Sequence, residues 1–257
     1  MSGSQHGSRT TGFGIDIGGS GIKGAPVDLR TGELAADRLR IPTPQPATPA
    51  AVAEVVKDLI EHFDVDADTP IGVTFPAVIQ HGVARSAANV DPSWIGTNVE
   101  SLLGEVTGRP VHVVNDADAA GVAEARYGLA KDVEGVVLFA TLGTGIGSAL
   151  IVDGTLVPNT ELGHLEIDGH DAESRAADSA REREDLDWKQ WAARLQRYFG
   201  VVEDLLWPDL IVVGGGVSKK HESFLPLLHL RAPIVPAQLR NSAGIVGAAV
   251  LAVERAR

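Results

Sequence analysis

A glycine-rich turn occurs twice in the sequence, and each copy stands between two short apolar segments. The first runs from Asp16 to Lys23 (DIGGSGIK) and the second from Thr141 to Ser148 (TLGTGIGS). Apolar segments of this length on both sides of a turn are typical of β-hairpins. Because further strand-like and helix-like segments follow each copy, we expect an α/β protein of two similar lobes that face each other across a cleft.

The first turn also spells G-x-G-x-x-G at residues 19 to 24. In a dinucleotide-binding protein these glycines open a helix, and no acidic residue precedes them. Here Pro26 and the β-type continuation to Leu29 predict a hairpin, and Asp16 stands just ahead of the glycines. A dehydrogenase is therefore disfavoured, and only detectable NAD binding would reopen that alternative.

The rest of the chain alternates strand and helix patterns. A helix is expected after the N-cap Thr48, strands at PIGVTFPAVI and PVHVVN, and helices at 116–127 and 218–228. The charged run 172–200 predicts mostly solvated helix with one packed face. We expect a disordered start at 1–11, an N-terminal lobe at 12–116 completed by the C-terminal helix 243–257, and a C-terminal lobe at 117–242.

Composition excludes several classes of protein. The chain of 257 residues has no cysteine, so disulfides, a thiolate nucleophile and a Cys-ligated zinc site are ruled out. No basic-apolar leader or long uncharged apolar run is evident, which predicts a cytoplasmic protein without a membrane segment. The formal charge of -12 disfavours nucleic acid and other polyanions as partners unless basic residues cluster locally.

Glycine turns let backbone N–H groups approach an anion closely, because no Cβ stands in the way. Together with a third cluster at Gly214, Gly215 and Gly216 (VVGGGVS), the two hairpin turns indicate a site for several phosphates. A single glycine hairpin is more often a simple tight turn than a phosphate site. Asp16 is suited to hold Mg²⁺ through water beside such phosphates, and a turn-capping role is its alternative.

Asn115 and Asp116 end one predicted strand and begin a helix. A carboxylate at this edge of an α/β sheet is placed to take the proton from a hydroxyl that attacks phosphorus. A helix N-cap is the competing interpretation. Asp118 is the rival base, although an acidic residue in the first helical turn is explained by the helix dipole.

The segment NTELGHLEIDGHDAESR gathers Glu161, His164 and Glu173 between glycines. Carboxylates and imidazole suit a polyhydroxy substrate, because every ring hydroxyl both donates and accepts hydrogen bonds. A metal site formed by His164, His170 and carboxylates is the alternative, but the spacing matches no helical zinc motif.

Taken in order, DIGGSGIK, VNDADAA, LGTGIGS, ELGH and VVGGGVS resemble the ROK group of sugar kinases, within the actin-like and hexokinase-like ATPase superfamily. More narrowly, GVTFPAVI, ELGHLEIDGHDAE and PIVPAQLRNSAGIVGAA look like the polyphosphate glucokinases of actinobacteria. The resemblance implies two actin-like, ribonuclease H-like α/β lobes, a homodimer, and transfer of phosphate from polyphosphate, and also from ATP, to the 6-hydroxyl of glucose with Mg²⁺.

The resemblance also implies roles for individual residues. Asp116 would be the general base, and Asn89, Asn115, Glu161, His164 and Glu173 would bind the hexose. The donor phosphates would contact two glycine turns and a third that holds the nucleotide in ATP-using relatives: Gly18, Gly19, Ser20, Lys23, Gly143, Thr144, Gly145, Gly214, Gly215 and Gly216. The cysteine-rich zinc motif of many ROK proteins is replaced here by LEIDGHDAE, so no structural zinc is expected, and the position of Glu173 is less secure.

A long polyphosphate chain needs a path out of the site. Lys219, Lys220, Arg231 and Arg240 are the hypothesised contacts along it. An ATP-dependent hexose or N-acyl hexosamine kinase is the nearest alternative function. A non-enzymatic sugar sensor is the alternative from another class, but eleven polar N-terminal residues cannot form the helix-turn-helix of ROK repressors.

Overall fold

The computed structural model describes residues 10–87 and 90–257 of the chain. It divides into two compact units, the first formed by the chain up to Val114 with Gly244–Arg257 and the second by Asn115–Ala243. Most of the expected disordered start, residues 1–9, lies outside the described residues. The expectation is wrong for Thr11, which begins the first strand, and the Thr10 carbonyl accepts a hydrogen bond of 2.8 Å from Leu29 N–H.

The structure is mixed α/β. The strands of the described residues are β1 (Thr11–Gly18), β2 (Gly21–Asp28), β3 (Glu33–Leu34), β4 (Leu39–Ile41), β5 (Ile71–Phe75), β6 (Ile79–Gln80), β7 (Val83–Ala84), β8 (Val111–Asn115), β9 (Val136–Leu142), β10 (Ile146–Val152), β11 (Thr155–Val157), β12 (Glu166–Ile167), β13 (His170–Asp171), β14 (Leu210–Gly214) and β15 (Ile234–Pro236). The helices are α1 (Pro49–His62), α2 (Val99–Thr107), α3 (Asp116–Tyr127), α4 (Ala172–Ala176), α5 (Asp178–Arg183), α6 (Trp188–Leu206) and α7 (Ala243–Arg255). None of the helices in the described ranges combines the length and apolarity needed to cross a bilayer.

The sheet of unit 1 has the strand order β3-β2-β1-β5-β8, with β4 paired to β2. β1 and β2 form the predicted antiparallel hairpin around the first glycine turn, with Gly18 opposite Gly21. β1 then runs parallel to β5. The G-x-G-x-x-G sequence therefore closes a hairpin and opens no helix, as Pro26 predicted.

Helix α7 packs on this sheet at two glycines. A Cβ on Gly14 of β1 or on Gly72 of β5 would lie 1.9 Å from a backbone oxygen of the helix, Ile245 O or Ala248 O respectively. No residue larger than glycine fits at such a distance, so the pair sets how closely the helix approaches the strands. The core beside them is apolar and includes Phe13.

The far end of α7 is held by charge. The Arg255 guanidinium donates to Glu100 Oε1 at 2.7 Å, and Glu100 also accepts from His112 Nδ1 and Val113 N–H. Burial alone would raise the pKa of Glu100, but these hydrogen bonds and the Arg255 charge outweigh it, so its pKa lies below the usual value.

The sheet of unit 2 has the order β11-β10-β9-β14-β15. β9 and β10 form the second predicted hairpin. β14 runs parallel to β9, with Gly214 opposite Thr141. Because parallel strands end at the same edge, the glycine turns at 143–145 and 214–216 lie side by side.

The helical predictions in unit 2 are partly wrong. The charged run 172–200 holds three helices instead of one long one; Asp187 forms a capping box with Gln190 that starts α6 afresh. The predicted packed face is present in α6, where Trp191, Leu195 and Phe199 are fully buried. The helix expected at 218–228 is instead two 3₁₀ segments, Gly216–Ser223 and Leu225–Leu227, because Phe224 takes a non-helical conformation and Pro226 has no N–H to donate.

Replacing Gly72 by Ala tests the contact between α7 and the sheet. The added methyl would collide with Ala248 O, so we expect Gly72→Ala to lower the free energy of unfolding by about 3 kcal/mol. Gly104→Ala is the matched control, because the nearest atom to a Cβ there is 3.5 Å away. Equal stability of the two variants in urea denaturation would contradict the close contact between α7 and β5 at Gly72.

Candidate functional site

The start of α3 presents one carboxylate to solvent and buries its neighbours. Asn115 is the N-cap, and its Oδ1 accepts from Ala117 N–H and Asp118 N–H at 2.8 and 3.1 Å. The capping interpretation of the pair therefore applies to Asn115. Asp116 is exposed at the first helical position, where the helix dipole favours its negative charge.

The ELGH motif forms a 3₁₀ turn at Leu162–His164, packed against the start of β10. A Cβ on Gly163 would lie 2.2 Å from Ile146 O, so only glycine permits this approach. Buried Ser148 holds the same turn: its hydroxyl accepts from Leu162 N–H at 3.0 Å and donates to Thr160 O. Ala117 also packs on this strand, 3.0 Å from where a Gly147 Cβ would be. β10 thus brings the start of α3 and the ELGH turn together beside the second glycine turn.

His164 is oriented by a carboxylate on the hairpin that follows it. Its Nδ1 lies 2.9 Å from Asp171 Oδ2, and its Nε2 lies 4.0 Å from Glu161 Oε2. The Asp171 hydrogen bond is the main reason that the pKa of His164 is raised, with the charges of Glu173 and Glu161 adding to it. Burial raises the pKa of Glu161, and Glu173 raises it further, while His164 opposes the change.

Glu173 supports the second glycine turn. Its Oε2 accepts from Ile146 N–H at 2.9 Å, directly after that turn. This bond occupies one of its oxygens with a structural task, and its expected contact with hexose stays a prediction.

Glu173 also belongs to a possible cation site. One ligand atom each from His164, Asp171 and Glu173 lies within 4.8 Å of the others. The metal site considered in the sequence analysis included His170, whereas this group contains Asp171 in its place. The expectation of no structural zinc stays a prediction that metal analysis of the purified protein would test.

Asp118, the rival base, is buried at 2 % exposure. Its Oδ2 accepts from Asn159 N–H at 2.8 Å, which ties α3 to the segment before the ELGH turn. Its Oδ1 has no hydrogen-bond partner within the described part of the chain. Burial, with smaller effects of Glu161 and Asp116, raises the pKa of Asp118 to about 7. A group enclosed in this way does not reach a substrate hydroxyl, so Asp116 is the better placed base.

The second glycine turn is held by hydrogen bonds from Ser179. Ser179 N–H donates to Gly143 O at 3.1 Å, and the Ser179 hydroxyl donates to Thr144 O at 2.6 Å. These contacts use carbonyl oxygens of the turn, and within the turn Gly143 N–H donates to Gly145 O at 3.0 Å. The neighbouring third turn holds Gly215 at a φ of 85°, a conformation that favours glycine.

In unit 1, Asp16 lies at the carboxyl end of β1. Its Oδ1 accepts from the Thr74 hydroxyl at 2.9 Å, and its Oδ2 lies 3.2 Å from Lys23 Nζ. Gly244 of α7 lies against it, since a Cβ there would be 3.2 Å from Asp16 Cγ. Because both carboxylate oxygens have protein partners, holding a hydrated Mg²⁺ through water fits this carboxylate better than direct coordination.

A cation that the sequence analysis missed lies over the first glycine turn. Arg40 Nη2 donates to Ser20 O at 2.6 Å, and its guanidinium occupies the space beside Gly21. In the β2–β4 pairing Arg40 stands directly opposite Lys23. Two positive charges therefore lie next to the turn that was predicted to bind phosphate.

The four residues proposed for a polyphosphate path differ in their surroundings. Arg231 lies 2.7 Å from Asp204 and 3.5 Å from Glu203, and its guanidinium is stacked 4.0 Å from the Trp207 ring. Its charge is thus already compensated. Lys219, Lys220 and Arg240 are exposed, with Lys220 Nζ 5.7 Å from the Trp188 ring.

Three further residues were missed because their partners are distant in sequence. Thr74 bonds Asp16 across strands, Ser148 holds the ELGH turn, and Asp171 orients His164. Only Asp171 carried a signal, as a carboxylate within the ELGH segment. Asn89, expected to touch the sugar, lies outside the described residues.

Comparison with known proteins identifies the family of this chain. The model of the ROK family matches residues 12–178. A polyphosphate glucokinase of Mycobacterium tuberculosis (strain CDC 1551 / Oshkosh) is 54% identical over 243 residues, covering 94% of this chain and 91% of the relative. The crystal structure of an inorganic polyphosphate/ATP-glucomannokinase from Arthrobacter sp. strain KM is 57% identical, covers 97% of this chain and 100% of its own, and has a TM-score of 0.91.

A more distant structure shares the fold alone. A ROK family glucokinase from Streptomyces griseus, solved with glucose and AMPPNP, is 22% identical with a TM-score of 0.79 and covers 95% of this chain and 99% of its own. The fold is that of the ROK sugar kinases, as the motifs predicted. The chain belongs to the ROK family.

The buried Asp118 should make the stability of the protein depend on pH. Its folded-state pKa of about 7 exceeds the ordinary 3.8, so the folded protein binds the extra proton and stability falls as pH rises from about 4 to 7. Asp118→Asn should remove this pH-dependent loss of stability. Its free energy of unfolding should exceed that of the wild type by on the order of a few kcal/mol at pH 8, and by a smaller amount at pH 5. Chemical denaturation at both values measures it; a variant equally destabilised at both would contradict an uncharged Asp118.

Proposed function

We propose that this protein phosphorylates glucose on its 6-hydroxyl, with inorganic polyphosphate as donor and ATP as a second donor. Two observations together support the proposal. Relatives that align with this chain over nearly their whole length are named for polyphosphate-dependent sugar kinases, and Asp116 is exposed beside the ELGH turn. The Arthrobacter relative is named a glucomannokinase, so mannose is the first other hexose to test.

Within unit 2, the hexose would contact Asn115, Glu161, His164 and Glu173, and Asn89 is a further proposed hexose contact. Asp116 would take the proton of the 6-hydroxyl as its oxygen attacks the terminal phosphorus, and the bond to the remaining phosphate chain would break. The protein then has little covalent chemistry to perform, since most of the acceleration in phosphoryl transfer comes from positioning and charge stabilisation.

The donor phosphates would contact backbone N–H groups of the glycine turns. In unit 1 these are Gly18 and Gly19, with Ser20 and the cations Lys23 and Arg40. In unit 2 they are at 143–145 and 214–216, with Lys219 and Lys220 nearby. Kinases of this type use a divalent metal ion; for this chain we propose Mg²⁺, held by Asp16 through water, which would neutralise phosphate charge. A homodimer in the cytoplasm completes the proposal, and the dimer rests on the resemblance.

Asp116→Asn is the decisive variant, and Asp118→Asn is its matched control on the same helical turn. We expect Asp116→Asn to lower glucose 6-phosphate formation by roughly 10² to 10⁴ with either donor, because the base is lost while the capped helix remains. Asp118→Asn should keep most of the activity.

Donor and hexose are varied in the same assay. Polyphosphate and ATP are given separately with Mg²⁺, and mannose and N-acetylmannosamine replace glucose. Turnover with ATP alone would remove polyphosphate from the proposal, and turnover with N-acetylmannosamine alone would favour the hexosamine kinase. Glucose binding without turnover by the wild type would favour a sensor.

A second prediction concerns Asp171, which we propose as a positioning residue that acts through His164. Asp171→Asn should raise KM for glucose about tenfold and leave kcat largely unchanged, because the imidazole loses its charge-assisted hydrogen bond. Since Asp171 raises the pKa of His164, the inflection in glucose KM due to His164 should move to lower pH. Asp168→Asn on the same hairpin, whose carboxylate bonds Arg197, is the control. Identical KM values and pH profiles in the two variants would exclude this role.

A further inference from the structure

Unit 2 contains a second concave site that none of the proposed catalytic or substrate-binding residues lines. It has a volume of about 300 Å³ and lies between the β12–β13 hairpin, α4 and α6. Its charged lining residues are Arg175, Arg194, Arg197, His170 and Asp168. Three arginines and one aspartate thus line this pocket, on a chain whose formal charge is -12.

The three arginines differ in how their charge is compensated. Arg197 forms a two-pronged pair with Asp168, at 2.9 Å from Nε and 2.8 Å from Nη2. Arg194 donates to Glu184 at 2.5 Å and to the Arg175 carbonyl at 3.1 Å. The Arg175 guanidinium forms no ion pair or hydrogen bond with any described residue, and Glu184 acts on it only at longer range.

Like charges gathered in a concavity raise the free energy of the folded protein unless an opposite charge joins them. Asp168 and Glu184 each offset one arginine, and Arg175 has no counterpart. A guanidinium is planar, always charged and has five N–H donors, which match the oxygens of phosphate in pairs. His170 adds an imidazole beside it. An anion with several oxygens in one group would complement the exposed Arg175 guanidinium.

We propose that this pocket binds a phosphoryl group, with Arg175 as its principal contact. The ligand is either a segment of inorganic polyphosphate or a phosphorylated sugar, because both present the same group. The pocket is assigned from residues that take no part in the kinase proposal, whereas its expected effect on KM for glucose rests on that proposal.

The position of the pocket connects it to the sugar-binding residues. Asp168 and His170 lie on the β12–β13 hairpin, and Asp171, the next residue, holds His164. An anion that fixes this hairpin would also fix the Asp171 carboxylate. Occupancy is therefore expected to lower KM for glucose when Asp171 is present and to have no such effect in Asp171→Asn.

Chemical footprinting locates the site directly on the full-length protein. Phenylglyoxal modifies accessible arginines, and mass spectrometry reports the rate at each. At a probe concentration ten times its Kd, modification of Arg175 should slow about tenfold, because the free fraction of the site is 1/(1 + [L]/Kd). Inorganic tripolyphosphate and glucose 6-phosphate are the two probes, at low ionic strength. Arg183, also exposed but bonded to Ser174 O and Glu184, is the internal control and should keep its rate.

The outcomes separate the two sources. Protection by tripolyphosphate alone assigns a polyphosphate segment, and protection by glucose 6-phosphate assigns the sugar phosphate. Unchanged modification of Arg175 with both probes overturns the proposal, and so does an Arg175 that never reacts, because a closed pocket admits no ligand.

A variant supplies an independent measurement. Arg175→Gln should weaken the protecting probe roughly tenfold in calorimetry, the usual effect of losing one charge-assisted contact, while Lys189→Gln on α6 removes a charge outside the pocket and should not. Equal weakening in both variants would reveal a general field effect and contradict the site. The readout is binding, so failure here leaves the turnover assay of the proposed function unaffected.

Discussion

The approach of α7 to β1 and β5 is the constraint on which unit 1 depends. Gly14 and Gly72 allow helix backbone oxygens to within 1.9 Å of where a Cβ would stand. Helix α7 is the last helix in the sequence, and it packs on β1 and β5 from the N-terminal part of the chain. At the start of the helix Gly244 packs against Asp16, and in its last turn Arg255 donates a hydrogen bond to Glu100. The geometry around the first glycine turn is therefore set by residues more than two hundred positions away.

The second unit gathers many acidic side chains, and each is stabilised differently. Asp116 lies at a helix N-terminus, Glu173 accepts a backbone N–H, and Asp171 is paired with His164. Asp118 instead keeps its proton up to a pH of about 7 because it is buried. The proton removes one negative charge next to Asp116. The repulsion that a phosphate donor would meet at this helix is smaller for that reason.

Local elements were predictable from the sequence where a short-range signal existed. Both glycine hairpins, the cap at Thr48 and the strand-to-helix junction at Asn115 were predicted from adjacent residues and are confirmed. The helix at 218–228 was predicted wrongly: Pro226 is unfavourable inside a helix, and the non-helical Phe224 leaves no signal in the sequence. Arg40 over the first turn and Thr74 on Asp16 depend on strand pairing, which brings together residues 20 and 58 positions apart. Register of that kind is decided by the whole sheet and not by neighbours in sequence.

An acidic protein that takes a polyanionic substrate must concentrate its few cations. Lys23 and Arg40 stand opposite each other beside the first turn, and Arg231 is held by Glu203 and Asp204. Arg40 is exposed and Lys23 is partly buried and paired with Asp16 at 3.2 Å, whereas Arg231 is paired with two carboxylates. Since the field at the site matters more than the net charge, the pair outweighs scattered lysines elsewhere. A path for polyphosphate should therefore be sought from Arg40 outward as well as along Lys219 and Lys220, and Arg40→Gln should raise KM for polyphosphate more than Arg231→Gln does.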